Sequence, residues 1–188
     1  MSNKSNVGKW DEWYKDFKNN ETPSSYKYGE TLTYKVGAEF LSDCETIEDW
    51  GVGGGGFLRH CPKAIGVDGS DTPFAQKKHV DLCTYVSSVE GVHMRHVLEH
   101  NYEWAKVLEN ALKSATKKLC ITLFIPLKEG DTEELAHNLP HGVDVPDLAI
   151  SMDEFVKIIG KHKPKNIETQ SFTTDTGYKT EVVYKITF

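Results

Sequence analysis

From residue 46 onward, short extended apolar runs alternate with amphipathic segments. Apolar residues spaced by 3.6 positions indicate one face of a helix, whereas a period of two or a short unbroken apolar run indicates a strand. This pattern predicts five strands, each followed by a polar or glycine-containing segment. The strands are 46–50, 64–68, 79–83, 91–94 and 119–125.

Two longer helices are predicted among these strands. Residues 104–115 place their apolar side chains on one helical face, as expected for a helix packed on a sheet. Ser151 and Glu154 form a capping box that opens a helix running to Ile159, with Gly160 at its end.

Shorter helices are predicted nearer the start of this region. Residues 57–60 fit a single short helix, and a second helix is expected to begin at residue 71 or 72. Asp71 or Thr72 would cap it, and Pro73 would occupy its first position, where the missing N–H is not needed.

The last strands read as a hairpin. Residues 166–174 and 181–188 alternate in polarity, and "DTGY" at 175–178 supplies a turn between them. Strands joined by helices favour a parallel sheet with helices on both faces. The fold class expected is therefore α/β: a doubly wound, mostly parallel sheet with a C-terminal antiparallel hairpin, forming an α-β-α sandwich.

The N-terminal part differs, because an aromatic stripe precedes a break rich in turn formers at 19–25. The stripe, at positions i, i+3, i+4 and i+7 of a helix, consists of Trp10, Trp13, Tyr14 and Phe17. Leu32, Val36 and Phe40 predict a second helix. The stripe fits either static packing on the core or a mobile lid over a ligand. We expect residues 1–45 to form a helical N-terminal segment, of which 1–28 would be the lid.

Composition narrows the class of protein. At 188 residues the chain suits a single domain, 1–188, and its net charge of −6 speaks against nucleic acid as a partner. Its longest apolar run, 119–125, is too short for a membrane span. Four scattered cysteines without a C-x-x-C pair, and no visible secretory signal, favour a reducing cytoplasm.

The stretch "EDWGVGGGGFLRH", residues 48–60, holds four consecutive glycines. A glycine run is often a flexible linker, but this one follows a predicted strand and precedes a predicted helix, as a nucleotide-binding loop does. Asp68 ends the next strand 19 positions after Asp49, close to the offset of about 20 at which an acidic residue meets ribose hydroxyls. We therefore favour a ligand-binding loop.

Here the chain resembles the class I S-adenosylmethionine-dependent methyltransferases of Rossmann-like fold. Asp49 to Gly55 resembles the D-x-G-x-G-x-G first motif, "GVDGS" the second, "VDLC" the third, and "MRHVLEHN" the segment after strand four. The resemblance covers about residues 45–188. It implies S-adenosylmethionine as cofactor, with bare glycine backbone along its methionine part, Asp68 at the ribose and Asp81 near the adenine. The cofactor-binding residues it implies are Asp49, Gly51, Gly53, Gly55, Asp68, Ser70, Asp81, Leu82 and Arg95.

Two nucleotide-binding alternatives are weaker. Gly51, Gly53 and Gly56 satisfy the G-x-G-x-x-G of dinucleotide-binding proteins, but no second mononucleotide half follows. A P-loop is not indicated either, because no Gly-Lys-Ser/Thr follows the glycines. The helices between the first three strands are short and Trp50 replaces a small aliphatic residue, which leaves a non-catalytic cofactor-binding subunit as an alternative.

A histidine cluster raises a further alternative. "HVLEH" at 96–100 matches the H-x-x-E-H zinc helix of one protease class, but here it begins at a strand end. The cluster also fits polar residues at a helix start, or a part of the methyl-transfer pocket. We predict no metal.

His96, at the mouth of the fourth predicted strand, is the candidate general base for a hydroxyl substrate. No Asn/Asp-Pro-Pro-aromatic motif follows that strand, which speaks against the members of the family that methylate amino groups of DNA or glutamine and leaves O- and N-methylation of other substrates open. A small metabolite or sugar is the expected substrate, and a peptide the second choice. The irregular stretch predicted at 127–150, with His137 and His141, would either shape the substrate pocket or form a surface loop.

Overall fold

The computed structural model describes residues 5–19, 32–138, 142–174 and 178–188. The predicted break at 20–25, His141 and most of the predicted turn at 175–178 lie outside these ranges. The helices are α1 (Asp11–Asn19), α2 (Leu32–Phe40), α3 (Trp104–Ser114) and α4 (Met152–Lys161). The strands are β1 (Ile47–Trp50), β2 (Ile65–Val67), β3 (Val89–Arg95), β4 (Ala115–Leu123), β5 (Glu133–His137), β6 (Pro146–Ala149), β7 (Asn166–Thr173) and β8 (Thr180–Thr187).

Six of the strands form one sheet in the order β2-β1-β3-β4-β8-β7. The first four are parallel, and β8 pairs antiparallel with β4 and β7. This is the predicted α/β fold with its C-terminal antiparallel hairpin. The chain runs from β1 outward to β2 and then returns to β3 on the other side of β1. The carboxyl ends of β1 and β3 therefore flank a topological switch point, where open α/β sheets bind ligands.

Helices cover both faces of the sheet. On one face, α3 and α4 pack on a large core that includes Trp50, Met94 and Ile121. On the other, α2 packs on Phe57, Cys120 and Val183. The alternation of β3 explains this division, because successive strand residues point to opposite faces. The α-β-α sandwich predicted from the sequence is confirmed.

Ser151 caps α4 as predicted, since its hydroxyl accepts a hydrogen bond from the Glu154 N–H, but the reciprocal bond of a capping box is not made, because Ser151 N–H donates to the Thr132 hydroxyl at 3.0 Å. The amphipathic segment at 104–115 forms α3, and the short helix predicted at 57–60 is a single 3-10 turn, Phe57–Arg59.

Two predicted elements between β2 and β3 are wrong. No helix begins at Asp71 or Thr72, and residues 79–83 do not form a strand. The Thr72 hydroxyl instead donates to the Gly53 carbonyl at 2.6 Å, and Val80 N–H donates to the Asp68 carbonyl at 2.9 Å. This segment is thus held as a loop by hydrogen bonds to the ends of β1 and β2, and the sheet has four parallel strands rather than five.

The stretch predicted as irregular at 127–150 contains a small antiparallel sheet. β5 pairs with β6, and β6 is fully buried while β5 is exposed. His137 lies on β5, where its ring nitrogens contact Glu134 and Asp144. Within the described residues, no helix is long and apolar enough to cross a membrane.

Candidate functional site

A cavity of about 650 Å³ opens at the carboxyl ends of β1 to β4, at the switch point of the sheet. Its size lies within the range of about 300–1,000 Å³ typical of small-molecule sites. One half is lined by the loops after β1 and β2. The other half is lined by residues that follow β3 and β4, by β6 and by Tyr178.

The glycine loop forms one wall of this cavity. Gly51 and Gly53 line it and adopt positive φ angles of 71° and 50°. A Cβ atom on Gly51 would lie 2.5 Å from Val97 Cγ2, so the loop passes this point only without a side chain. The loop thus presents bare main chain to the cavity, as the sequence predicts.

Asp68 follows β2 and lies buried beside the glycine loop. Its Oδ2 accepts a hydrogen bond from Gly53 N–H and its Oδ1 one from Ser70 N–H, both at 2.9 Å. Burial raises the pKa of Asp68 to about 6 despite these hydrogen bonds. The carboxylate therefore holds the loop in place and still faces the cavity.

Asp81 and Leu82 line the same half of the cavity. The Asp81 carboxylate accepts hydrogen bonds from Cys83 N–H at 2.9 Å and from the Ser5 hydroxyl at 3.0 Å. Although residues 79–83 are not a strand, the loop still brings the Asp81 carboxylate to the site.

Three residues implied as cofactor-binding lie outside the cavity lining. Asp49 is buried within β1, where its Oδ1 lies 2.7 Å from His93 Nδ1. Gly55 packs against the Phe74 ring, with which an added Cβ would clash at 2.5 Å. The Ser70 hydroxyl accepts a hydrogen bond from Trp10 N–H at 3.1 Å. The structure gives each of these residues a packing or bonding role around the site.

Residues 5–14 cover the cavity and contribute Trp10, Trp13 and Tyr14 to its lining. Several hydrogen bonds hold them there. Gly8 N–H donates to the Gly69 carbonyl at 2.9 Å, and the Asn6 side-chain amide donates to the His100 carbonyl at 2.7 Å. Three members of the aromatic stripe, Trp10, Trp13 and Tyr14, thus face the site, although they are only partly buried.

Arg95 ends β3 and is paired with Glu181 of β8 through its Nη2. Its Nη1 donates to the Tyr34 hydroxyl at 3.1 Å, and Thr33 donates to the second oxygen of Glu181. Burial opposes ionisation of Glu181, but the hydrogen bond to His96 and the charge of Arg95 keep its pKa below the usual value. Arg95 lines the cavity, yet its guanidinium is committed to this buried carboxylate.

His96 lines the cavity directly after β3, with a left-handed φ of 58°. Its Nε2 lies 2.8 Å from Glu181 Oε1. Burial, followed by the nearby charge of Arg95, lowers the pKa of His96 to about 3. The imidazole therefore stays neutral throughout the physiological pH range, whereas an ordinary histidine is partly protonated there.

A set of rings forms the wall beyond His96, with Phe124 at its centre. The ring of Phe124 lies 4.7 Å from that of His96, 5.3 Å from His100 and 5.4 Å from Tyr178, between centroids. Trp10 extends the wall, at 5.6 Å from the His100 ring. We call these five residues, His96, His100, Phe124, Tyr178 and Trp10, the ring wall.

Asp147 of β6 contacts two members of the ring wall, His100 and Tyr178. Its Oδ1 accepts from the Asn138 amide at 2.6 Å and lies 3.3 Å from His100 Nδ1, and its Oδ2 accepts from the Tyr178 hydroxyl at 3.3 Å. Burial opposes ionisation of Asp147, but the hydrogen bonds from His100 and Asn138 lower its pKa. Asp147 is therefore an anionic group on the cavity lining.

The H-x-x-E-H segment does not form the helix that a zinc site of this type requires. The backbone of His96 has a left-handed φ angle, and only Leu98–His100 form a 3-10 turn. Glu99 Oε1 accepts a hydrogen bond from Phe124 N–H at 2.6 Å, and this bond involves neither His96 nor His100. Among the described residues, no three His, Cys, Asp or Glu side chains converge closely enough to hold a metal ion.

Sequence reasoning missed Glu181, Tyr34 and Asp147. Glu181 had a signal: it opens a strand of alternating polarity and shares the face of the buried Val183. Its partners are remote, since Arg95 and Thr33 precede it by 86 and 148 positions. No local pattern could have paired them.

No family model and no curated protein matches the chain. Solved structures do match. A 1,6-didemethyltoxoflavin-N1-methyltransferase from Burkholderia thailandensis, with bound S-adenosylhomocysteine, is similar with a TM-score of 0.67 and 11% identity, over 94% of this chain and 84% of that one. The magnesium protoporphyrin IX methyltransferase of Synechocystis PCC 6803, with S-adenosylhomocysteine bound, gives 0.61 and 14%, over 93% and 92%.

A methyltransferase from Thermotoga maritima that depends on S-adenosylmethionine gives 0.61 and 14%, over 95% of this chain and 97% of that one. These similarities extend over nearly the whole of each chain, although few residues are identical. The parallel strands, the switch point and the antiparallel β8 agree with the same architecture. The chain has the fold of the class I S-adenosylmethionine-dependent methyltransferases.

Proposed function

We propose that the protein is a methyltransferase that transfers a methyl group from S-adenosylmethionine to a small molecule. The observation that carries this proposal is the cavity at the switch point, with bare glycine backbone on one wall and two carboxylates beside it. The similar structures from Burkholderia thailandensis and Synechocystis PCC 6803 hold S-adenosylhomocysteine.

The residues in the half of the cavity that is lined by the loops after β1 and β2 fit the chemistry of the cofactor. The carboxylate of Asp68 accepts hydrogen bonds, as ribose hydroxyls require, and Asp81 offers an acceptor for an adenine amino group. Gly51 and Gly53 would lie along the methionine part, because they line the cavity and carry no side chain. Asp49, Gly55 and Ser70 would support this half from outside the lining.

S-adenosylmethionine supplies a methyl group already activated by its sulfonium. The protein must then align the acceptor, exclude water and take away the acceptor's proton. Residues 5–14 cover the cavity and limit the access of water.

We propose that His96 accepts the proton that the methyl acceptor loses. Glu181 Oε1 lies 2.8 Å from Nε2 without the alignment of a hydrogen bond, so the contact is electrostatic, and a proton on Nε2 would leave Nδ1 as the acceptor. Glu181 would thus act as a positioning residue. The pKa of His96 is lowered to about 3, so His96 is a weak base. It therefore suits an acceptor that becomes acidic as the methyl group arrives, and it suits an alcohol that must first be ionised less well.

Calorimetry and turnover together test the function. The purified protein should bind S-adenosylmethionine and S-adenosylhomocysteine, should not bind NAD, and should transfer labelled methyl groups to members of a metabolite panel. Preference for NAD would overturn the proposal. Binding of S-adenosylhomocysteine without transfer to any acceptor would instead indicate a non-catalytic cofactor-binding subunit.

We further propose that the N-terminal segment is a lid, because Asn6, Trp10 and Tyr14 line the cavity from a short stretch in which the neighbouring Trp13 side chain is 45% exposed. S-adenosylhomocysteine should order this segment and slow tryptic cleavage after Lys15, which lies exposed on α1. Cleavage after the exposed Lys161, at the end of α4, serves as the control and should keep its rate. An unchanged rate at Lys15 in the presence of bound ligand would favour static packing.

A further inference from the structure

The half of the cavity beyond the glycine loop carries its own chemistry. It is bounded by the ring wall, by Asp147 and by the buried pair of Arg95 and Glu181. If Gly51, Gly53, Asp68 and Asp81 hold the cofactor, as proposed above, this second half is left for the methyl acceptor. The following inference rests on that proposed function.

The walls of this half are flat and apolar. Phe124, Tyr178 and Trp10 offer ring surfaces, and Phe124 and Trp10 both contact the His100 ring. Rings in such contacts are stabilised beyond the burial of their area. A planar ring would use these surfaces, whereas the hydroxyls of a sugar that faced the rings of Phe124 and Trp10 would find no acceptor there.

The charges of this half are unfavourable for an anion. Within the described lining there is no lysine, and the single arginine, Arg95, is paired with Glu181 and bonded to Tyr34. Burial opposes a charge on His100, but its hydrogen bonds to Asp147 and to the Pro146 carbonyl raise its pKa. Any positive charge on His100 is therefore matched by Asp147. An acidic acceptor in this half would meet the carboxylate of Asp147, with no lysine or unpaired arginine in the described lining to balance its charge.

Asp147 also retains hydrogen-bonding capacity. A carboxylate oxygen accepts about two hydrogen bonds, and in the described part of the chain Oδ2 accepts only the long one from Tyr178. The geometry points to an acceptor that is a planar aromatic or heteroaromatic molecule bearing an N–H or ammonium donor, bound against the ring wall with its donor directed to Asp147. Acidic ring compounds are excluded from the same site.

Calorimetry on protein saturated with S-adenosylhomocysteine tests this selectivity with three probes. Tryptamine and indole-3-acetate share one ring and differ in charge, and methyl glucoside replaces the ring with a sugar. We expect tryptamine to bind at least about tenfold more tightly than either of the others, the effect of one charge-assisted hydrogen bond. In Asp147→Asn this preference over indole-3-acetate should shrink, whereas Asp144→Asn, which changes an exposed carboxylate outside the lining, should keep it.

The outcomes separate the two proposals. Failure to bind S-adenosylhomocysteine would overturn the proposed function itself. Binding of S-adenosylhomocysteine followed by equal or tighter binding of indole-3-acetate or methyl glucoside, or by no binding of tryptamine, would overturn only the inference on the acceptor. Wild-type selectivity alone decides the matter if Asp147→Asn does not fold.

Discussion

Replacing His96 with asparagine should lower kcat by about 10²–10⁴-fold, the usual contribution of a positioned base, while the affinity for S-adenosylhomocysteine stays near that of the wild type. His96 lines the cavity on the acceptor side, and Glu181 holds its Nε2. Because the pKa of His96 is lowered to about 3, the wild-type kcat should stay level between about pH 5 and pH 8, without the inflection near 6.5 of an ordinary histidine. Steady-state kinetics across this range measures both effects.

His162→Asn is the matched control. His162 follows α4, where its Nε2 contacts Glu109, and it does not line the cavity. The control should turn over like the wild type. If His96→Asn loses cofactor binding, His96 is structural. If its turnover is normal, alignment of the acceptor is sufficient for the reaction.

Asp68→Ala should weaken binding of S-adenosylhomocysteine by about 10–100-fold for each charge-assisted hydrogen bond to the ribose that is lost. The substitution also removes the acceptor for Gly53 N–H and Ser70 N–H, which loosens the glycine loop. Asp71→Ala is the control, since Asp71 lies on the same loop but outside the cavity lining. Equal affinities in Asp68→Ala and the wild type, measured by calorimetry, would contradict the assignment.

The pH dependence supplies an independent test of the same residue. Burial raises the pKa of Asp68 to about 6, so in the folded protein this carboxyl gains a proton as the pH falls below 6. A protonated carboxyl group accepts hydrogen bonds from ribose hydroxyls less well than a carboxylate does. Affinity for S-adenosylhomocysteine in the wild type should therefore decrease from pH 7 to pH 5, and this decrease should be smaller in Asp68→Ala. Parallel profiles would show that other groups control the pH response.

The fold could be predicted because its signals are local. The N-cap at Ser151 and the amphipathic face of α3 are set by residues a few positions apart, and both were confirmed. The segment 71–83 misled for the same reason. Pro73 after potential caps favours a helix start, and Val80 to Leu82 favours a strand, but hydrogen bonds to Gly53 and Asp68 hold the segment as a loop. Tertiary contacts there outweigh propensities worth less than about 1 kcal/mol per residue.

The candidate site divides in the same way. The glycine loop and Asp68 follow from spacing, since both lie at strand ends near one another in the chain. The environment of His96 does not follow from spacing, because its low pKa depends on burial and on Arg95, and its neighbour Glu181 arrives from another strand. The cavity wall formed by Phe124 and Tyr178 likewise joins residues that are far apart in the sequence.

The position of β8 has a consequence for folding during synthesis. β4 lies in the interior of the sheet, but β8, which covers its edge, is made more than fifty residues later. Until then the growing chain carries an open edge on an apolar strand, together with an arginine at position 95 that lacks its carboxylate. Open edges of this kind invite pairing with other chains. Until β8 is added, the nascent chain therefore exposes a strand edge that can pair with other chains.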